Sequence, residues 1–223
     1  MTLQELFKAI TYFNHKSIYF NFKYFPFRHA IRFPVFVSFR TKLISAKGSI
    51  QINGPIKTGM IRIGYGEVGI FDKKYHRVLW EVRGTIVFNG GALFKFGSRV
   101  SVAENAELRI GDGFRISPDS SVICYKKVSI GNNVRISWET ILMDNDFHLI
   151  KTMDGKLLNP TSDIKIGDDV WIGMRTTILK GSKVGNQVII GSGTLLNKAI
   201  PGSNQVIAGN PARVIKKGVL WEP

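Results

Sequence analysis

The sequence predicts an all-β solenoid, and three observations carry that prediction. From Ile166 to Ile200 the chain repeats every six residues, in hexads that begin at Ile166, Ile172, Ile178, Val184, Ile190 and Leu196. Four of the six hexads have Gly in the second slot, at Gly167, Gly173, Gly185 and Gly191. There the missing Cβ tolerates turn conformations. The fifth slot holds Val170, Thr176, Ser182, Val188, Thr194 and Ile200, each small or β-branched. A period of six is not the 3.6 of a helical stripe. It is three strand periods, so slots one, three and five share a face. Six residues of strand and turn suit one side of a prism.

The elements follow in chain order. Residues 1–48 form a basic, aromatic segment expected to cap the open end. Short strands punctuated by Gly are expected from Gln51 to Tyr65 and from Ile86 to Gly97. The stretch from Phe96 to Arg109 reads as a degenerate coil. Ile110, Ile116 and Val122 start the three hexads of a clearer coil, followed by a slip at Val128-Ser129. Ile130, Ile136 and Leu142 start those of another. After Phe147 the register breaks. Residues 148–165 contain the polar turn Met153-Asp154-Gly155-Lys156 and the pair Asn159-Pro160, which read as a loop thrown out from one corner. Ile166 resumes the register. The expected division is a cap at 1–48, a solenoid domain at 49–217 and a tail at 218–223, with roughly five to seven coils.

Composition bounds the function. Cys124 is the only cysteine, so no disulfide framework exists, and it reads as a core residue. Glu5 and Lys8 interrupt the apolar residues at the N-terminus, and no stretch approaches the ~18 apolar residues of a membrane helix. A cytoplasmic location is expected, with the inner face of the membrane kept open. The net charge is +15, and the first 48 residues hold eight bases against Glu5 alone, interleaved with aromatics. Two compatible readings stand for this segment: a cap with solvated bases, and a peripheral contact with an anionic membrane. No nucleic-acid module accompanies it, so nucleic acid is not an expected partner.

Three stretches carry a family resemblance: the hexads, the segment Met143-Asp144-Asn145-Asp146-Phe147-His148, and the end Ala208-Gly209-Asn210-Pro211-Ala212-Arg213. Together they resemble the hexapeptide-repeat acyltransferases, in particular bacterial sugar and polysaccharide O-acetyltransferases. The resemblance is specific over about residues 108–217 and vague before. It implies a left-handed parallel β-helix, an acetyl-CoA cosubstrate, no metal, and a homotrimer with the active site between adjacent subunits. It also implies that His148 is the general base for a sugar hydroxyl, a task suited to imidazole. Asp144, Asp146 and Glu139 are the candidates to orient it, and the spacing does not choose among them. The same acids could instead cap turn amides. The resemblance further implies oxyanion donors near Gly173-Met174, and a coenzyme groove drawing on Trp171, Gly173, Met174, Ser192, Asn197, Lys198, Arg213 and Lys216. Arg213 offers a planar fork to phosphate, while Lys216 and Lys217 offer point charges.

The match departs at Ser117 and Tyr125, where small-sugar enzymes of this kind supply an Asn and an Asp to the acceptor. Those contacts do not carry over. The acceptor is expected to be a surface glycan or its lipid-linked precursor. The alternatives are an acetyltransferase of another small acceptor, such as an amino sugar or amino acid, and a trimeric scaffold without catalysis. A scaffold would need neither an acid beside the histidine nor a basic tail, and both are present.

Overall fold

In the computed structural model, which describes residues 11–222, the chain winds into a three-sided parallel β-helix. Residues 1–10, including Glu5 and Lys8 of the expected cap, and Pro223 lie outside the described residues. Among the described residues the three faces have nine, seven and seven strands. Each coil gives one strand to each face. In the fifth coil these are Arg135–Ile136 on the first face, Ile141–Met143 on the second and Ile164–Ile166 on the third. Seven full coils span residues 35–52, 61–88, 92–110, 114–130, 135–166, 171–184 and 188–200.

The first slots of the hexads stack in columns. On the first face Ile116, Ile136, Ile172 and Ile190 pair in sequence, each at most 1% exposed. On the second face Val122, Leu142, Ile178 and Leu196 do the same. On the third, Ile110, Ile130, Ile166 and Val184 follow. Gly173 shows why the second slot is small: a Cβ there would lie 2.6 Å from the Ser192 amide nitrogen of the next coil. Cys124 is buried, and its thiol is pushed up to about 12, first by burial and then by the nearby Asp144 carboxylate. It is a core residue held as the neutral thiol.

The solenoid starts earlier than residue 49. Val35–Val37 and Lys42–Ala46 already belong to the first coil, pairing with Ile61–Ile63 and Leu79–Val82. The early coils enclose rings instead of aliphatics. Trp80 packs edge-on against Phe94 at 5.3 Å, and Phe94 contacts Phe114 at 5.4 Å. Two excursions leave the prism, at residues 64–78 and 144–163, and both return in register.

Each end of the first face carries an added element. At one end lies helix α1 (His15–Tyr24), followed by the short helix α2 (Phe27–Ala30). Asn14 caps α1 by accepting from the Lys16 and Ser17 amides. Asn21 donates to the Val35 carbonyl and accepts from its amide, and Ser17 Oγ accepts from the Val37 amide. At the other end Arg213–Lys217 folds back antiparallel on Gln205–Ala208. No helix of the described residues is long and apolar enough to cross a membrane.

Candidate active site

The excursion at 144–163 leaves the corner between the second and third faces. It carries the polar turn expected from the sequence: the Thr152 amide donates to the Lys156 carbonyl, and Gly155 takes a positive φ of 86°. His148 is exposed near its start. The residue before it, Phe147, has φ +62°, a conformation costly for a bulky side chain and one that concentrates at functional sites. Phe147 also packs edge-on against Tyr125, ring centres 4.8 Å apart, so Tyr125 buttresses the histidine segment.

The three candidate acids separate cleanly. Asp144 is fully buried and accepts from three backbone amides of the preceding coil: Tyr125 at 2.6 Å, and Lys126 and Lys127 at 2.8 Å each. It does not orient His148, because the strand ends at Met143 and turns this side chain into the corner. Glu139 does not orient it either, since its carboxylate pairs with Arg175 of the next coil. Asp146 faces outward and accepts from Lys180 Nζ at 2.5 Å and from Asn159 Nδ2 at 2.8 Å. The same Asn159 amide donates to the His148 carbonyl at 2.8 Å, and its oxygen accepts from the Ile150 amide. Lys180 closes the set by donating to the Asn159 carbonyl. Asp146 therefore holds the backbone of His148 through Asn159. Among the described residues the imidazole ring has no hydrogen-bond partner.

The Lys180 hydrogen bond, and after it that of Asn159, hold the Asp146 carboxyl below its ordinary range. A depressed carboxyl pKa stabilises the fold fully above the unfolded value and loses that contribution as pH falls through the folded one. The clamp is expected to be intact from about pH 5 upward and to release only below the usual carboxylate pKa of about 4. Lys180→Met should expose the loop at neutral pH. Limited trypsinolysis at Lys151 and Lys156 should then quicken several-fold at pH 7, and equal cleavage of variant and parent would count against the clamp.

The groove residues fall into two groups. Trp171 points outward from the first face, its indole donating to Ser137 Oγ at 3.2 Å. Trp221 of the tail lies against it, ring centres 6.3 Å apart, anchored to the Asp169 carbonyl. Gly173, Met174 and Ser192 line the neighbouring corner between the first and second faces, where Gly193 leaves open space beside its Cα. The Gly173 amide donates to the Ile190 carbonyl, so it is not free for an oxyanion. Among the described residues the Met174 amide has no such bond. Arg213 and Lys216 are exposed on the return strand at the edge of the first face. Asn197 and Lys198 lie instead at the corner between the second and third faces, below Lys180 and the His148 loop. The candidate residues therefore fall on different corners of one chain: His148 with Asn197 and Lys198 on one, Trp171, Met174, Ser192 and Arg213 around another.

Sequence reasoning passed over Lys180, Asn159, Ser137 and Trp221. Lys180 is the third position of the Ile178 hexad, and Asn159 reads only as part of the loop. It also passed over His76, whose Nδ1 lies 2.9 Å from Asp119 and ties the 64–78 excursion to the fourth coil.

The family described as bacterial transferase hexapeptide (six repeats) matches residues 163–198. Over 136 residues the chain is 43% identical to a polysialic acid O-acetyltransferase of Neisseria meningitidis, covering 60% of this chain and 61% of that protein. Over 140 residues it is 31% identical to an uncharacterised 24.8 kDa protein in the cps region of Klebsiella pneumoniae, covering 63% and 62%. The matches thus span about three fifths of these two relatives. Among solved structures, the polySia-specific acetyltransferase NeuO superposes with a TM-score of 0.56 at 21% identity, over 85% of this chain and 89% of that one. The shared fold is the left-handed parallel β-helix that the family resemblance implied, and the chain carries the transferase hexapeptide repeat in its last coils.

Proposed function

We propose that this hexapeptide-repeat chain is an acetyl-CoA-dependent O-acetyltransferase that acts on hydroxyls of an acidic surface polysaccharide, working as a homotrimer. The observation that carries the reading is the division of the candidate residues between two corners of one prism. Cyclic symmetry would bring the His148 corner of one copy against the Trp171 face of the next and complete the site. The loop supports this, since Phe147, Leu149, Ile150, Met153 and Leu158 are all exposed on the single chain and would be covered by a neighbour.

Acetyl-CoA supplies the acetyl group as a thioester. His148 takes the proton of the acceptor hydroxyl as that oxygen attacks the thioester carbon, then returns the proton to the leaving sulfur. The Met174 amide is the remaining donor suited to the carbonyl oxygen. The small strip Gly191-Ser192-Gly193 suits a thin pantetheine arm. Arg213, Lys216 and Lys198 suit phosphates, as none of them has an ion-pair partner among the described residues. Asp146 acts as a positioning residue.

The acidic acceptor rests on a ladder of bases above Trp171. Arg115 and Arg135 pair in register on the outer side of the first face, and Arg135 pairs with Trp171. Burial, and then Arg115, hold the Arg135 guanidinium below its ordinary pKa, and its Nε is buried without a partner. Unneutralised like charges in a row favour an anionic chain. The relatives named as polysialic acid O-acetyltransferases agree with this.

The test is retention on immobilised coenzyme A combined with labelled acetyl transfer to acidic and neutral polysaccharides. Arg213→Ala should weaken retention about tenfold, the worth of a charge-assisted phosphate contact. No retention of the parent protein, or transfer to neither polysaccharide, would overturn the reading.

A further inference from the structure

Helix α1 presents apolar side chains on its outer side as well as its inner one. Its buried side carries Phe20 in the core together with Ser17 and Asn21, which serve the edge of Val35–Val37. Its outer side is apolar: Ile18, Tyr19 and Phe22 are 46%, 49% and 46% exposed. The patch continues into α2, where Phe27 is 72% exposed, with its ring 6.1 Å from that of Phe22, and on to Ile31. A surface helix of a soluble domain ordinarily keeps its outer side polar. Ser17 and Asn21 face inward because the strand edge needs hydrogen bonds, and Phe20 because the core needs its ring. Neither requirement calls for aromatics outside.

The charge around this patch is one-sided. Lys23, Arg28 and Arg32 are exposed on the same segment. From Thr11 to Gly66 the sequence holds nine Lys and Arg and no Asp or Glu. A second copy would bring the same bases against these, a juxtaposition that opposes association. An anionic bilayer would accept both features at once, apolar side chains at the acyl boundary and bases among the headgroups. We infer that the outer face of α1 and α2 docks on an anionic lipid surface and holds the solenoid by its N-terminal end.

The test is cosedimentation of the full chain with vesicles of phosphatidylcholine alone and of phosphatidylcholine mixed with phosphatidylglycerol. Binding is expected to the mixed vesicles only, and to weaken with salt. The triple variant Lys23→Gln, Arg28→Gln, Arg32→Gln should lower the partition coefficient about a hundredfold. The variant Ile18→Ser, Phe22→Ser, Phe27→Ser should lower it at least about tenfold. All six side chains are exposed, so neither variant disturbs the core. Equal binding to both vesicle types, or undiminished binding by the apolar variant, overturns the inference. So does a smaller lipid-free sedimentation coefficient for the apolar variant, which would make this face an interface between copies. The measurement reads no acetyl transfer and stands apart from the proposed activity.

Discussion

Replacing His148 with Ala is expected to lower acetyl transfer by about a thousandfold, within the range that a positioned general base contributes. The side chain is exposed and makes no hydrogen bond among the described residues, so the variant should keep its fold and its assembly. The informative control is His76→Ala. His76 is the histidine that already holds a carboxylate, Asp119, and by local geometry alone it would be the better-oriented base. Its place on the 64–78 excursion gives it a tethering role, so transfer should survive its loss. If His76→Ala abolishes transfer and His148→Ala spares it, the catalytic assignment is wrong. The pair of variants therefore separates a base located by the break in the repeat from one located by its hydrogen bond.

The second large effect is on stability. Asp144→Ala removes the acceptor for the amides of Tyr125, Lys126 and Lys127 at once. Each buried donor left without a partner costs about 1–3 kcal/mol, so a total near 3–5 kcal/mol is expected. Asp144→Asn keeps the shape and one oxygen but sets an NH2 group against an amide N–H, and about 2 kcal/mol is expected for it. Urea unfolding with wild-type, Asn and Ala proteins should show midpoints falling in that order. A midpoint for Asp144→Ala equal to that of the parent would show that the corner finds other acceptors. Because Asp144 ends the strand from which the loop departs, the Ala variant should also loosen the His148 segment before global unfolding.

These two acids mark where the sequence stopped being legible. Asp144 and Asp146 alternate with Asn145, and an extended chain would put both on one face. The strand ends at Met143 instead, so one carboxylate turns into the corner and the other outward to Lys180. That contact crosses 34 residues and exists only because the coils stack. The hexads from Ile110 onward were readable because the same aliphatic recurs in every column. The first coils were not, because the rings of Trp80, Phe88 and Phe94 replace the recurring aliphatics and the 64–78 excursion interrupts the count. The start at Val35 was hidden for a related reason: Val35-Phe36-Val37 sits inside a basic aromatic run whose composition suggested a cap. The apolar outer face of α1 was legible only as aromatic content, since the burial of Ser17 and Asn21 depends on a strand edge that no local pattern announces.

Each excursion leaves a corner and re-enters one residue column further round without shifting it. Val128 and Ile130 face Ile164 and Ile166 as though the 20 residues between 144 and 163 were absent. Scaffold and loop are thus uncoupled in length. The fold can exchange, lengthen or shorten the segment that carries its histidine while every column below stays in place. Under the proposed activity, a change of acceptor hydroxyl would need only a new outgrowth at a corner. The solenoid is in this sense a rack with fixed slots, and selection on substrate can act on what hangs from it without reopening the question of how it folds.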